Sequence, residues 1–268
     1  MVAGGGQAGV TSHTPIALAR RTFVRAIGYA LPPRCPGCGT IVGADHSFCL
    51  ACWQALDFLG GSACAACAEP LELAVHPDSL CAACLADPPP FVWARAAVAY
   101  GPIARALALK LKHGRRPGIA QTMARAMLRV AGTLPEGTLV AAVPLHRWRL
   151  WSRGYNQSTL IARALVRRAG AELAIDLIER RKATPMLRGL GRAARARAVA
   201  GAFAVPPDRR ALLCRRPVLL IDDVYTTGAT VRACARALLR AGAAEVRVLC
   251  WARVVREHDG APTPVARV

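Results

Sequence analysis

Four Cys-x-x-Cys pairs fall within fifty residues of this chain: Cys35/Cys38, Cys49/Cys52, Cys64/Cys67 and Cys81/Cys84. Each pair places two thiolates on one side of a tight knuckle, and two knuckles complete a tetrahedral zinc site with Zn–S bonds of ~2.3 Å. Ten residues separate the first two pairs and thirteen separate the last two. Gly37 and Gly39 suit the first knuckle. The block therefore reads as a double zinc ribbon with two structural zincs, each with four ligands and no position left open for water. Sequential and crossed pairings of the knuckles both satisfy this count. A redox dithiol is usually a single pair beside a βαβ unit, which four successive pairs do not fit. Such a block also argues for a reducing compartment, the cytoplasm, rather than for disulfides. Cys214, Cys234 and Cys250 lie singly in apolar settings and read as core residues.

The rest of the chain is organised around this block. Residues 1–30 read as a flexible tail followed by a short amphipathic helix. Arg20, Arg21 and Arg25 interrupt any secretory apolar run there. The ribbons span 31–87, and Pro88, Pro89 and Pro90 mark a stiff linker. Over 91–256 the pattern alternates. "VWARAAVAY" and "GTLVAAVPL" read as strands. "GPIARALALKLKHG", "RPGIAQTMARAMLRVAG" and "GYNQSTLIARALVRRAG" read as helices. "VLLI" and "EVRVLCWARVV" read as further strands. This is the pattern of an α/β fold with a parallel sheet flanked by helices. Residues 257–268 form a tail. No apolar run reaches the ~18 residues needed to span a membrane.

The chain carries a net charge of +20, almost all from arginine. That points to an anionic partner such as nucleic acid or a phosphorylated metabolite. The arginine and alanine skew of a GC-rich coding sequence is the competing explanation.

The segment "VLLIDDVYTTGAT", residues 218–230, is the most informative of the α/β region. A strand ending at Ile221 puts Asp222 and Asp223 on the carboxyl rim of the sheet, where ligands bind. Thr226, Thr227, Gly228, Ala229 and Thr230 then open a helix starting near Val231. They offer amides, hydroxyls and a positive dipole end to an anion, with Gly228 letting backbone approach a phosphate. Carboxylates for a diol and a loop for a phosphate together fit a ribose 5-phosphate.

This segment resembles the phosphoribosyl pyrophosphate motif of type I phosphoribosyltransferases. Further stretches extend the likeness: "PPRCPGCG" at 32–39, "CLADPPPF" at 84–91, "LKLKHG" at 109–114, "VPLHRWRLWSRGYNQS" at 143–158 and "AGAF" at 200–203. Over residues 30–255 the chain is similar to the ComF family of competence-associated proteins. The resemblance implies a double zinc ribbon ahead of a type I phosphoribosyltransferase-like domain. It also implies phosphoribosyl pyrophosphate bound with Mg²⁺, Asp222 and Asp223 as the catalytic pair, and a competence-machinery helicase as partner. The loop Val143, Pro144 to Arg147, with Arg153, corresponds to the pyrophosphate-holding element. Lys110 and Lys112 stand out in an arginine-dominated chain and read either as compact charges for phosphate or as solvated helix lysines; by family position they lie near the first strand–helix unit of the domain. "RRKATPMLRGLGRAARAR", residues 180–197, departs from the family pattern. It reads as a lid, a track for single-stranded nucleic acid, or a solvated loop. Two functions follow: a phosphoribosyltransferase with an unknown acceptor, and a single-stranded DNA-binding factor for DNA uptake.

Overall fold

The computed structural model describes residues 32–73, 76–114, 116–183 and 191–255. The tails and the N-terminal helix expected from sequence lie outside these residues, as does the middle of the 180–197 segment.

Near-continuous apolar runs build a five-stranded sheet in the order β1-β7-β6-β2-β3, with every neighbouring pair parallel. The strands are β1 (Ala94–Ala99), β2 (Leu139–Ala142), β3 (Glu172–Leu173), β6 (Pro217–Tyr225) and β7 (Glu245–Arg253). A short antiparallel pair, β4 (Glu179–Arg180) and β5 (Phe203–Ala204), lies apart from it. Parallel strands buried on both faces need apolar residues at successive positions. Val218, Leu219, Leu220 and Ile221 of β6 are all buried, alternating between the two cores. One core holds α3 (Pro102–His113), α4 (Ile119–Ala131) and α6 (Gln157–Ala169). The other holds α9 (Ala229–Arg240). Trp251 is fully buried on the first face and donates its indole N–H to the Ala104 carbonyl at 3.1 Å.

Strand β6 runs four residues past the point expected from sequence. Asp222 and Asp223 lie within the strand, because β7 is equally long and pairs with it as far as Tyr225↔Arg253. On its other side β2 ends at Ala142, opposite Ile221. The last turn of β6 therefore projects beyond β2 and leaves a cleft above the shorter strand. Helix α9 begins at Ala229, two residues before the expected start.

The cysteine pairs combine sequentially. Cys35, Cys38, Cys49 and Cys52 form one cluster, and Cys64, Cys67, Cys81 and Cys84 the other, each with all sulfurs within 4.8 Å. Cys38 and Cys49 sulfurs are 3.5 Å apart and Cys67 and Cys81 sulfurs 3.7 Å. Those spacings approach the ~3.8 Å edge of a tetrahedron with ~2.3 Å bonds, so both clusters fit a closed four-thiolate zinc. Helices α1 (Leu50–Gln54) and α2 (Ala82–Ala86) carry the second knuckles of each.

The ribbons straddle the sheet edge. The chain between them pairs with β1: Leu59 N–H donates to Ala97 O at 3.1 Å, and Ala99 N–H to Asp57 O at 2.8 Å. This covers an edge that would otherwise template association. The first ribbon packs Leu56 and Phe58 on the α3–α4 face, and the second puts Cys64, Cys67 and Cys84 into the α9 core. Cys234 and Cys250 are fully buried as expected. Cys214 is not a core residue: it is exposed, in a left-handed turn after the short helix α8 (Arg210–Leu213), its thiol donating to Ala211 O. The turn, not packing, fixes its place.

Since Cys84 serves both a metal site and the main core, Cys84→Ser should lower zinc content from two per chain to one. It should also lower the melting temperature by on the order of 10 °C. Elemental analysis and calorimetry check both.

Candidate functional site

The cleft beside the projecting end of β6 has a volume of about 370 Å³. Its walls are Asp222, Asp223 and Val224 of β6, Thr226 and Thr230 after it, and the loop Val143–Leu145 after β2. Basic side chains face it from four elements: Lys112 of α3, Arg149 and Arg153 of α5 (Arg147–Arg153), Arg180 of β4, and Arg195 of α7 (Arg192–Val199).

Strand alternation sends the two acids to opposite sides. Asp223 is 5% exposed, and its Oδ2 lies 2.7 Å from Lys112 Nζ. Asp222 Oδ1 accepts from Ser158 Oγ at 3.2 Å and from the Asp223 amide at 2.9 Å. Burial and the adjacent Asp223 push the Asp222 carboxyl up to about 7. Across the cleft, burial pushes the Arg153 and Arg180 guanidinium groups down, and repulsion from Arg149 adds to it. Positive charge is thus concentrated opposite two carboxylates, a pattern common at functional sites.

In the turn after β6, the amides of Thr226, Thr227, Gly228, Ala229 and Thr230 make no recorded hydrogen bond to protein acceptors among the described residues. They sit at the N-terminus of the twelve-residue helix α9, so the turn can receive an anion. Gly228 has φ +76°, which favours glycine, and a Cβ there would strike the Tyr225 ring. Its smallness serves packing within the turn rather than room for a ligand.

The pyrophosphate-type loop is pinned from behind. Asn156 caps α6 through the Ser158 amide at 3.0 Å and donates to Val143 O at 2.9 Å. Tyr155 Oη donates to Leu111 O, tying α6 to the end of α3. Val143, Pro144, Arg153 and Lys112 thus line one cleft with the acids, Thr226 and Thr230.

Lys110 and Arg147 do not join them. Lys110 Nζ donates to Pro36 O at 2.8 Å and to Gly37 O at 2.6 Å, clamping the first zinc knuckle. It lies two residues, about 200° of helix, from Lys112. Arg147 opens α5 and lines a neighbouring groove with His146, over the Trp148 ring at 5.9 Å. Sequence reasoning missed Ser158, whose only signal is its place in the first turn of a helix capped by Asn156. It also missed Arg253, which sits at the end of a strand that reads as plain core.

The chain matches the double zinc ribbon domain model over residues 26–86. It is 35% identical over 200 residues to DNA utilization protein YhgH of Salmonella typhi, covering 72% of this chain and 85% of that one. The Escherichia coli K12 protein of the same name is 34% identical over 190 residues, 68% of this chain and 81% of its own. Competence protein F of Haemophilus influenzae is 35% identical over 120 residues, 45% of this chain and 51% of that one. With 72% of its length aligned at 35% identity to one such relative and the double zinc ribbon matched over residues 26–86, this chain belongs to the ComF family.

Proposed function

We propose that the cleft binds phosphoribosyl pyrophosphate with Mg²⁺ and that the protein transfers the phosphoribosyl group to an acceptor. The observation that carries this reading is the projecting end of β6. It brings two carboxylates and five amides without protein acceptors among the described residues to one rim, facing a cluster of arginines. The amides of 226–230 suit the 5-phosphate, and Asp222 suits the ribose hydroxyls. Arg149, Arg153 and the Val143–Leu145 loop suit the diphosphate, for which planar guanidinium forks are well matched. Mg²⁺ would bridge the diphosphate and neutralise its charge. The protein's own part is positioning and charge stabilisation of an oxocarbenium-like transition state. Lys112, 2.7 Å from Asp223, orients its carboxylate until ligand arrives.

Isothermal titration with phosphoribosyl pyrophosphate and Mg²⁺ is expected to give a roughly micromolar Kd. Asp222→Asn with Asp223→Asn should weaken it at least ~100-fold, about 2.7 kcal/mol. An unchanged Kd in that variant would remove the assignment.

Keeping Asp222 in place costs stability. Its folded-state value, about 7, exceeds the ~3.9 of a free aspartate, so wild-type stability falls as pH rises between those values. Asp222→Asn escapes this. The variant should melt several degrees above wild type at pH 8, with the gap closing toward pH 5. Scanning calorimetry across that range checks it, and a gap that grows on acidification would contradict the sign.

A second reading has its own observation. Helix α5 exposes Trp148 and Trp151, 62% and 82% accessible, beside Arg147 and Arg149. Aromatic faces among arginines form a stacking platform for single-stranded nucleic acid, and the relatives' names speak of DNA utilization and competence. Labelled single-stranded DNA should bind with affinity that drops steeply with salt. Trp148→Ala with Trp151→Ala should weaken binding about tenfold and leave phosphoribosyl pyrophosphate affinity unchanged. Absence of binding at low salt rejects this reading.

A further inference from the structure

A second cavity, of about 450 Å³, opens on the other flank of β6. Its floor is Tyr225, Thr226 and Thr227, with Arg253 and Val254 at the end of β7. Its roof is the second zinc ribbon, from Glu69 and Leu71 to the α2 knuckle at Cys81–Cys84. It shares Arg195 and Thr226 with the cleft, so the two spaces meet above the anion-binding turn.

The strand order gives this adjacency a direction. β6 lies between β2 and β7. The Val143–Leu145 loop follows β2, so the diphosphate is held toward that side. The roofed cavity stands over the end of β7, on the opposite side. Displacement at the anomeric carbon brings the nucleophile in opposite the departing pyrophosphate, and the cavity is where such a nucleophile would stand.

Its lining indicates what it would hold. Leu71, Leu80, Ala82, Ala83 and Val254 offer apolar contact suited to a flat ring. Among charged groups it has Arg195, Arg232 and Arg253 against a single acid, Glu69. Glu69 is already held by Arg253, and Arg232 is held by Asp87, so Arg195, whose Nε is buried without a hydrogen-bond partner among the described residues, is the cation that suits a carboxylate on the ligand. Thr227 Oγ1 is buried with no hydrogen-bond partner among the described residues. Buried polar groups are normally satisfied, so this hydroxyl is an open position beside the cavity.

We propose that the cavity under the second zinc ribbon is the acceptor site, and that it takes a planar aromatic or heteroaromatic acid whose nitrogen receives the phosphoribosyl group. The proposal rests on the reading of the cleft given above. In the step, the nitrogen lone pair forms the N–C bond as the anomeric C–O bond breaks. Both electrons of that bond leave with pyrophosphate, and any proton on the attacking amine passes to solvent. The ribbon would then be more than a fold-stabilising module, since it supplies the lid that the sheet itself lacks.

The test uses the zinc-loaded full chain with phosphoribosyl pyrophosphate and Mg²⁺. Anthranilate, nicotinate and orotate serve as acid probes, and adenine and hypoxanthine as neutral ones. Pyrophosphate release and adduct mass are read. At least one acid is expected to raise release about tenfold or more over the acceptor-free rate. Ala82→Trp, at an exposed roof position, should reverse that gain while zinc content and calorimetric phosphoribosyl pyrophosphate affinity stay unchanged. Acceptance of the purines alone overturns the chemical class. Undiminished release in Ala82→Trp overturns the location. No release with any probe, in a protein that binds phosphoribosyl pyrophosphate, overturns the acceptor site and leaves the cleft reading standing. Absence of phosphoribosyl pyrophosphate binding takes down both.

Discussion

Arg253 joins the three parts of this protein. Its guanidinium is 4% exposed, at the last position of β7. It donates to the Cys67 carbonyl and to the Glu69 carboxylate in the second ribbon, and it lies over the Tyr225 ring at 4.9 Å. Tyr225 in turn packs against Gly228 in the 226–230 turn. A buried ion pair contributes little net stability against well-packed apolar groups. Removal of one partner is another matter, typically costing 3–5 kcal/mol because it strands a charge. The pair therefore acts as a register pin: the ribbon, the sheet end and the turn hold their relation only while all three are in place. Arg232, in the first turn of α9, repeats the tie, with Nη2 donating to Asp87 O at 2.9 Å and Nη1 reaching the Asp87 carboxylate at 3.1 Å.

The helix α3 makes the matching connection on the opposite face. Lys110 and Lys112 emerge from its last turn, where cations also complement the helix dipole. One fastens the first ribbon through two knuckle carbonyls and the other reaches Asp223 in the cleft. A zinc knuckle of this size has almost no core, and its folding free energy comes from the metal. Both ribbons are nevertheless bonded to residues within a few positions of the cleft. Metal binding, ribbon folding and the shape of the cleft are for that reason a single cooperative problem rather than separate ones.

Much of this was legible in the sequence because it depends on local spacing. Four knuckles at fixed intervals leave few arrangements besides two closed metal sites, and only long-range geometry was needed to choose the sequential pairing. The β6 run and its acids were legible because buried parallel strands demand unbroken apolar residues. Its true end was not, since that depends on the length of β7, a partner distant in sequence. Lys110 and Lys112 look equivalent in the chain, yet the rotation of the helix between them sends their side chains to different tasks. Gly228 announced a special turn, but the atom its missing Cβ avoids belongs to Tyr225, three residues back and visible only once the turn has closed.

The same distinction explains where function concentrates. Apolar periodicity fixes the layers, and the layers leave the end of β6 outrunning β2 by four residues. Several groups of the cleft depart from what packing alone would choose. Asp222 is held with its proton affinity raised, arginines crowd until their charges oppose one another, and five amides are left at the mouth of a helix. Under the proposed function, the hydroxyls of the ligand would meet the Asp222 carboxyl and its phosphate the amides of the turn.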